Sequence, residues 1–234
     1  MAKAQTKSKQ RVADHGEVFT AQREVNAMLD LVKRETERID SRFLEPACGD
    51  GNFLAEILRR KLAVVKSRYG GNAADYERYA VIAATSIYGI DILQDNVDEC
   101  RRRLFDIWDE EYTISCKKGA NDKTRAAVRY ILEKNIIRGD ACPKAKPGNP
   151  KPNLDITIAE WSAVNGCLIK RRDFDLQQML DGHDDEYENP EEMQTSLFSQ
   201  NEKWAFDAEI QGYIPTPIEE NYPPIHYRRL PEHG

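Results

Sequence analysis

The stretch Phe43-Leu44-Glu45-Pro46-Ala47-Cys48-Gly49-Asp50-Gly51-Asn52-Phe53-Leu54 constrains this chain more than any other. An apolar pair runs into an acid–proline turn and then into Gly49 and Gly51. Phe53, Leu54, Ile57, Leu58 and Leu62 follow at helical spacing. The order reads as strand, glycine turn, helix, the opening unit of an α/β sheet whose ligands sit beyond the carboxyl ends of the strands. Glycine allows the close backbone approach and the positive φ that such a turn needs. The helix beginning at Asn52 points a partly positive end at whatever occupies the turn.

Further segments extend the pattern. Val25, Met28, Leu29, Val32 and Ile39 mark a helix ahead of the turn, with Thr20 as its N-cap. Asp75 to Thr85 is helical, and Ser86 to Ile92 is a second buried strand ending in Asp91. In nucleotide-binding α/β folds an acid at this strand end accepts hydrogen bonds from the two ribose hydroxyls, and its charge disfavours a phosphorylated ribose. A helix from Asp95 to Trp108 carries Arg101-Arg102-Arg103 on a solvated face. Tyr112 to Asp122 is an irregular polar insertion, and Ala126 to Glu133 is helix again. Asn135 to Ala141 gives a third strand closing on Gly139-Asp140. After a Pro/Lys/Gly loop from Pro143 to Pro152, Leu154 to Ala159 gives a fourth.

The wording Glu45-Pro46-Ala47-Cys48-Gly49-x-Gly51-Asn52-Phe53 resembles the cofactor motif of class I S-adenosylmethionine-dependent methyltransferases, most closely the adenine-N6 DNA methyltransferases of restriction-modification systems. The upstream His15-Gly16-Glu17-Val18-Phe19-Thr20 is similar to the Gly-Glu-(Val/Phe)-Phe-Thr-Pro stretch of that group, with Ala21 in place of the usual proline. The resemblance implies a Rossmann-like α/β fold, a mostly parallel sheet with helices on both faces. It implies S-adenosylmethionine as cofactor and DNA as substrate. Carried over residue by residue, the cofactor set is Glu17, Phe19 and Thr20 over the methionine end, and Glu45, Pro46, Ala47, Cys48, Gly49, Gly51, Asn52 and Phe53 in the turn. Asp91 with Ile92 follows, and then Asp140 with Ala141, where Asp140 accepts from the adenine amine.

The chain departs from the family after the fourth strand. Adenine-N6 enzymes carry (Asp/Asn/Ser)-Pro-Pro-(Tyr/Phe) there, because the flipped base needs acceptors for its amine and an aromatic ring to stack on. This chain has Glu160-Trp161-Ser162, so Glu160 as acceptor and Trp161 as stacking ring are the candidate catalytic pair. Lys170, Arg171 and Arg172 are the candidate phosphate contacts. The apolar runs that three more strands require are missing, so the sheet is expected to be truncated after the fourth strand.

Charge supports dividing the chain. Residues 173–202 hold ten acids and no Lys or Arg, so without them the formal charge goes from −6 to +4. Residues 1–14 are expected to be a basic flexible arm, 15–172 the cofactor-binding domain, and 173–234 an acidic tail containing Pro and aromatics. The five cysteines lie apart without a C-x-x-C pair, which indicates neither a metal site nor a disulfide framework. No apolar run is long enough to span a membrane, and a cytoplasmic location is expected. Two functions compete. One is an adenine-N6 DNA methyltransferase with an altered acceptor motif. The other is a non-catalytic, cofactor-binding subunit docked on a companion protein that supplies target recognition.

Overall fold

Three short strands, β1 (Phe43–Glu45), β2 (Ile87–Asp91) and β3 (Ile136–Arg138), form a parallel sheet in the order β1-β2-β3. The computed structural model describes residues 20–141, 156–176, 179, 204–207, 212–218 and 222–233. Glu17, Phe19, the expected basic arm, the Pro143–Pro152 loop and most of the acidic segment lie outside them. α1 (Gln22–Leu31) and the single turn α2 (Lys33–Thr36) lead into β1. The crossover from β1 to β2 carries α3 (Asn52–Tyr69) and α4 (Ala73–Thr85). The crossover from β2 to β3 carries α5 (Gln94–Cys116) and α6 (Asp122–Asn135).

Local chemistry sets the helix starts. The Asn72 side chain accepts from the Ala74 and Asp75 amides to cap α4, and Asn121 accepts from the Thr124 amide to cap α6. The cap of α1 is Ala21 rather than the expected Thr20. α3 to α6 pack on one another, burying Leu54, Leu58, Leu62, Tyr76, Trp108 and Ile131. Apolar side chains of this size contribute roughly 1.5–3 kcal/mol each on full burial. Trp108 satisfies its indole N–H on the Ala80 carbonyl at 2.9 Å. α5 runs through the expected insertion to Cys116, and Tyr112, fully buried, is part of this core.

The fourth strand differs from expectation in direction and partner. β4 (Thr157–Asn165) turns at Gly166-Cys167 and pairs antiparallel with β5 (Leu168–Asp175). Leu154 and Asp155 lie outside the described residues. Ile156 begins the hairpin beside the carboxyl end of β3. A Cβ built on Gly139 would meet the Ile156 side chain at 2.4 Å and Ile90 at 3.5 Å, so a larger residue here would push Ile156 aside. At the other end, Glu160 pairs with Arg42, which precedes β1. Leu54 of α3 abuts Gly89 on one face of the sheet, and the hairpin meets the Ile90 side, where it also touches α4 and α6. The domain boundary expected at residue 173 falls inside β5.

The C-terminal residues return to the body. β6 (Trp204–Asp207) and β7 (Gly212–Pro215) form a separate two-stranded ladder. β8 (Ile225–His226) pairs with β5, and a terminal 3-10 helix, Tyr227–His233, packs on α6. Buried Glu77 of α4 anchors it. Tyr227 donates to Glu77 at 2.5 Å, Arg228 Nε at 2.8 Å, Tyr112 at 2.5 Å and Asn121 at 3.1 Å. Burial alone would raise this carboxyl, but those donors outweigh it and hold it below the usual range. Among the described residues no helix is long and apolar enough to cross a membrane.

Two stability measurements follow. Glu77→Ala leaves Arg228 and two tyrosine hydroxyls without their shared acceptor, and chemical denaturation should show a loss on the order of 3 kcal/mol. Lys61 of α3 is fully buried, with Nζ donating to the Arg38, Ile39 and Ser41 carbonyls at 2.9, 3.1 and 2.5 Å. Burial, against the pull of Asp40, lowers its pKa from 10.5 to about 8. Between those values the unfolded chain holds a proton that the folded chain has released, so this residue favours the fold more as pH rises. The stability difference between wild type and Lys61→Met should climb across that window, by no more than about 1.4 kcal/mol per pH unit. A flat difference would show that Lys61 titrates normally.

Candidate functional site

The carboxyl end of the parallel sheet is organised around Asp91. β2 delivers its carboxylate, 9% exposed, directly beneath the glycine turn. Oδ2 accepts from the Gly49 amide at 3.0 Å, while Oδ1 accepts from the Leu93 amide at 2.8 Å and from Asn96 Nδ2 at 3.3 Å. The Asp91 carbonyl accepts from the Gly139 amide at 2.9 Å, drawing the end of β3 to the same place. A carboxylate offers about four acceptor positions. The chain fills three, so one position on Oδ2 has no donor among the described residues.

The turn itself is held from below. Gly49 and Gly51 have φ of 53° and 83°, the left-handed region where a Cβ is strained. A Cβ on Gly51 would also meet Cys100 Sγ at 2.6 Å. Arg103 Nη1 donates to Asn52 Oδ1 at 2.6 Å, to Asp50 Oδ1 at 3.3 Å and to the Asp50 carbonyl at 3.3 Å. Asn52 Nδ2 in turn donates to the Thr20 carbonyl at 3.4 Å, bringing the segment that enters α1 to the turn. Asn96, Cys100 and Arg103 stand at i, i+4 and i+7 of α5, one helical face turned to the site. The sequence reading assigned Arg103 to solvent. The missed signal was the shared periodicity of these three residues.

Other expected residues take varied places. Glu45 Oε1 accepts from the Ala47 amide at 3.3 Å, Pro46 and Ala47 are exposed, and Phe53 is half-buried against the core. Cys48 is buried. Contact with the Cys100 thiol, then burial, then the charges of Asp91 and Glu45, push its thiol pKa up, which opposes a nucleophilic role. Ile92 is 44% exposed directly after Asp91, an apolar surface open to a ligand ring. Asp140 and Ala141, both half-buried, follow Gly139 at the end of β3. The first amides of α3 have no acceptor within their own helix and stand at the turn, as its N-terminal geometry dictates.

The structure does not bring Glu160 and Trp161 to this end. They lie within β4, at the amino end of the parallel sheet, because the hairpin runs against β1–β3. Trp161 is 5% exposed and donates its indole N–H to Asn135 Oδ1 at 2.7 Å; Asn135 Nδ2 donates to the Thr85 and Ile87 carbonyls. Its ring is a core element, closed to a flipped base. Glu160 accepts from Arg172 Nε at 3.0 Å and Ser162 Oγ at 2.9 Å and pairs with Arg42. Burial would raise this carboxyl, yet the guanidiniums of Arg172 and Arg42 outweigh it and lower its pKa, making a weak base.

The expected phosphate contacts are also engaged. Arg171, 4% exposed, makes a bidentate pair with Asp173 at 2.7 and 2.6 Å and donates to Tyr130 Oη at 2.5 Å. Arg172 is bound by Glu160. Of the three, Lys170 alone is left for an outside phosphate, since the hairpin's interior consumes the other two.

Substituting Gly51 with Ala combines a strained φ with the Cys100 overlap and should destabilise the fold by about 1–3 kcal/mol in denaturant titration; an unchanged midpoint would mean that the turn relaxes freely. No protein-family model, curated protein or solved structure matches this chain.

Proposed function

We propose that this chain is the S-adenosylmethionine-binding subunit of a DNA methyltransferase of restriction-modification type, directed at adenine N6, whose acceptor site is completed by a companion chain. The observation that carries the reading is the Asp91 arrangement: a strand-end acid beneath a positive-φ glycine turn, with one acceptor position on Oδ2 that has no donor among the described residues. That position suits a ribose hydroxyl. The exposed Ile92 suits one face of an adenine ring, and Asp140 stands at the next strand end for its amine. The α3 amides and the turn backbone suit the polar methionine end. S-adenosylmethionine, when bound, supplies a methyl group on a sulfonium, open to attack by an amine.

The separation of the two halves favours a subunit over a self-sufficient enzyme. Glu160 and Trp161, the residues that replace the family's acceptor motif, stand a strand's length from the turn and are committed to Arg42, Arg172 and Asn135. The basic residues after them are mostly neutralised internally. A companion chain would then supply the base pocket, the target recognition and most of the phosphate contacts. On this reading the truncated parallel sheet is where that chain completes the domain.

The test is calorimetric titration of the full chain with S-adenosylmethionine, followed by transfer of labelled methyl to unmodified DNA. Saturable binding is expected, weakened at least tenfold by Asp91→Asn and by Ile92→Arg, with no label in DNA from the chain alone. Absence of binding would remove the cofactor assignment. Label in adenine from the chain alone would overturn the dependence on a companion and make it an autonomous methyltransferase.

A further inference from the structure

Residues 222–233 form a strap that is fastened to the body at few points. β8 pairs with β5 through two residues, His226 with Leu168 and Ile225 with Ile169. The Tyr227 amide donates to the Cys167 carbonyl at 3.0 Å, and the side chains of Tyr227 and Leu230 are buried. Pro223, Pro224, Arg229, Pro231 and Glu232 face solvent. The Glu77 cluster supplies the remaining anchor. A segment that buries so little opens at lower cost than the helical layer beneath it.

Two of the chain's four histidines sit in this strap, and the surroundings of both oppose a positive charge. His226 Nδ1 accepts from the Arg228 amide at 3.2 Å, a bond that uses the lone pair a proton would occupy. Burial, then Arg228 and Arg229, lower its pKa against the pull of Glu77 in α4. Both ring nitrogens of His233 are buried and have no hydrogen-bond partner among the described residues. A proton on this ring would create a buried cation without an acceptor. The ring centre lies 5.5 Å from that of Tyr222, which also carries the Arg171 guanidinium at 4.4 Å. Burial, then Arg171 of β5 and Arg229, lower the His233 pKa, with Glu232 pulling the other way. The neighbouring Asp173 is paired with Arg171. On the α6 side Tyr130 is bonded to Arg171, and Lys123 draws on Glu232.

We propose that the strap is an acid-released latch: proton uptake at His226 and His233 breaks the Arg228–His226 bond, charges a ring that has no acceptor, and frees residues 222–233 from β5 and α6 while the body stays folded. A released strap takes up both protons at the usual histidine value of 6.5, whereas the closed strap resists them. Closure is therefore favoured above that value and weakens below it, by up to about tenfold per histidine for each pH unit. Glu77, held below the usual 4.5 by its donors despite burial, stays ionised through this window, so the histidines respond before the anchor does. Release bares the edge of β5 at Leu168 and Ile169, an unpaired strand edge of the kind that takes up another strand.

The experiment is hydrogen exchange of the full chain at about pH 7.5 and about pH 5.5, either side of the histidine range, with rates corrected for the pH dependence of unprotected amides. On acidification the amides of Tyr227 and Arg228 should lose at least about fivefold in protection while α3 keeps its own. The double variant His226→Asn, His233→Phe, whose Asn oxygen retains an acceptor for the Arg228 amide, should hold its protection at both pH values. Unchanged protection in the wild type, an equal loss throughout α3, or a loss that the double variant reproduces would each overturn the proposal. Titration of the wild-type imidazoles by NMR needs no variant. Both should titrate below 6.5, and either one titrating at or above that value would also overturn it.

Discussion

The Asp91 carboxylate is the interaction on which the carboxyl end of this molecule depends. Through Oδ2 it holds the turn after β1, through Oδ1 it starts α5, and through its carbonyl it draws in the end of β3. Three chain segments distant in sequence are thereby fixed around one buried anion. The turn cannot move without releasing an amide from that anion, and a buried acceptor without its donor is expensive. The strained glycine backbone is stable because the surrounding bonds over-determine it.

A second set of charges does comparable work at the other end. Glu77 gathers Tyr112, Tyr227, Arg228 and Asn121 and so fastens the terminal 3-10 helix to the helical layer. Arg171 with Asp173, and Glu160 with Arg42 and Arg172, join the hairpin to itself and to the entry of β1. These residues carry the chemistry expected of catalysis or DNA contact, but the fold uses them as internal ties. The consequence is a molecule whose two ends differ in kind. The carboxyl end keeps an open acceptor and an exposed apolar ledge beside a strained turn. The amino end is cross-linked by ion pairs.

The glycine turn, the strand-end acids and most helices were legible because they rest on local rules: hydrophobic period, positive-φ glycine, an acid closing a buried strand. The hairpin was also within reach. Gly166-Cys167 is a two-residue loop that opens on a positive-φ glycine, but it lies just beyond a segment read as the catalytic stretch after the fourth strand. Arg103 was missed for a related reason. A basic triplet reads as solvated when taken alone, and only its spacing from Asn96 and Cys100 marks it as inward-facing. Trp161 and Glu160 were misplaced because nothing local distinguishes a strand running with the sheet from one running against it.

What the sequence determined by itself is the glycine turn and its acid: these depend on residues within one strand–turn–helix unit and on backbone geometry that favours glycine. What only the tertiary structure decided is direction and pairing. Whether β4 joins the sheet or folds back on β5, and whether an arginine meets solvent or a buried aspartate, follows from which segments pack together. Buried charges lower their energy only by finding one another across the chain, and that choice is made in three dimensions.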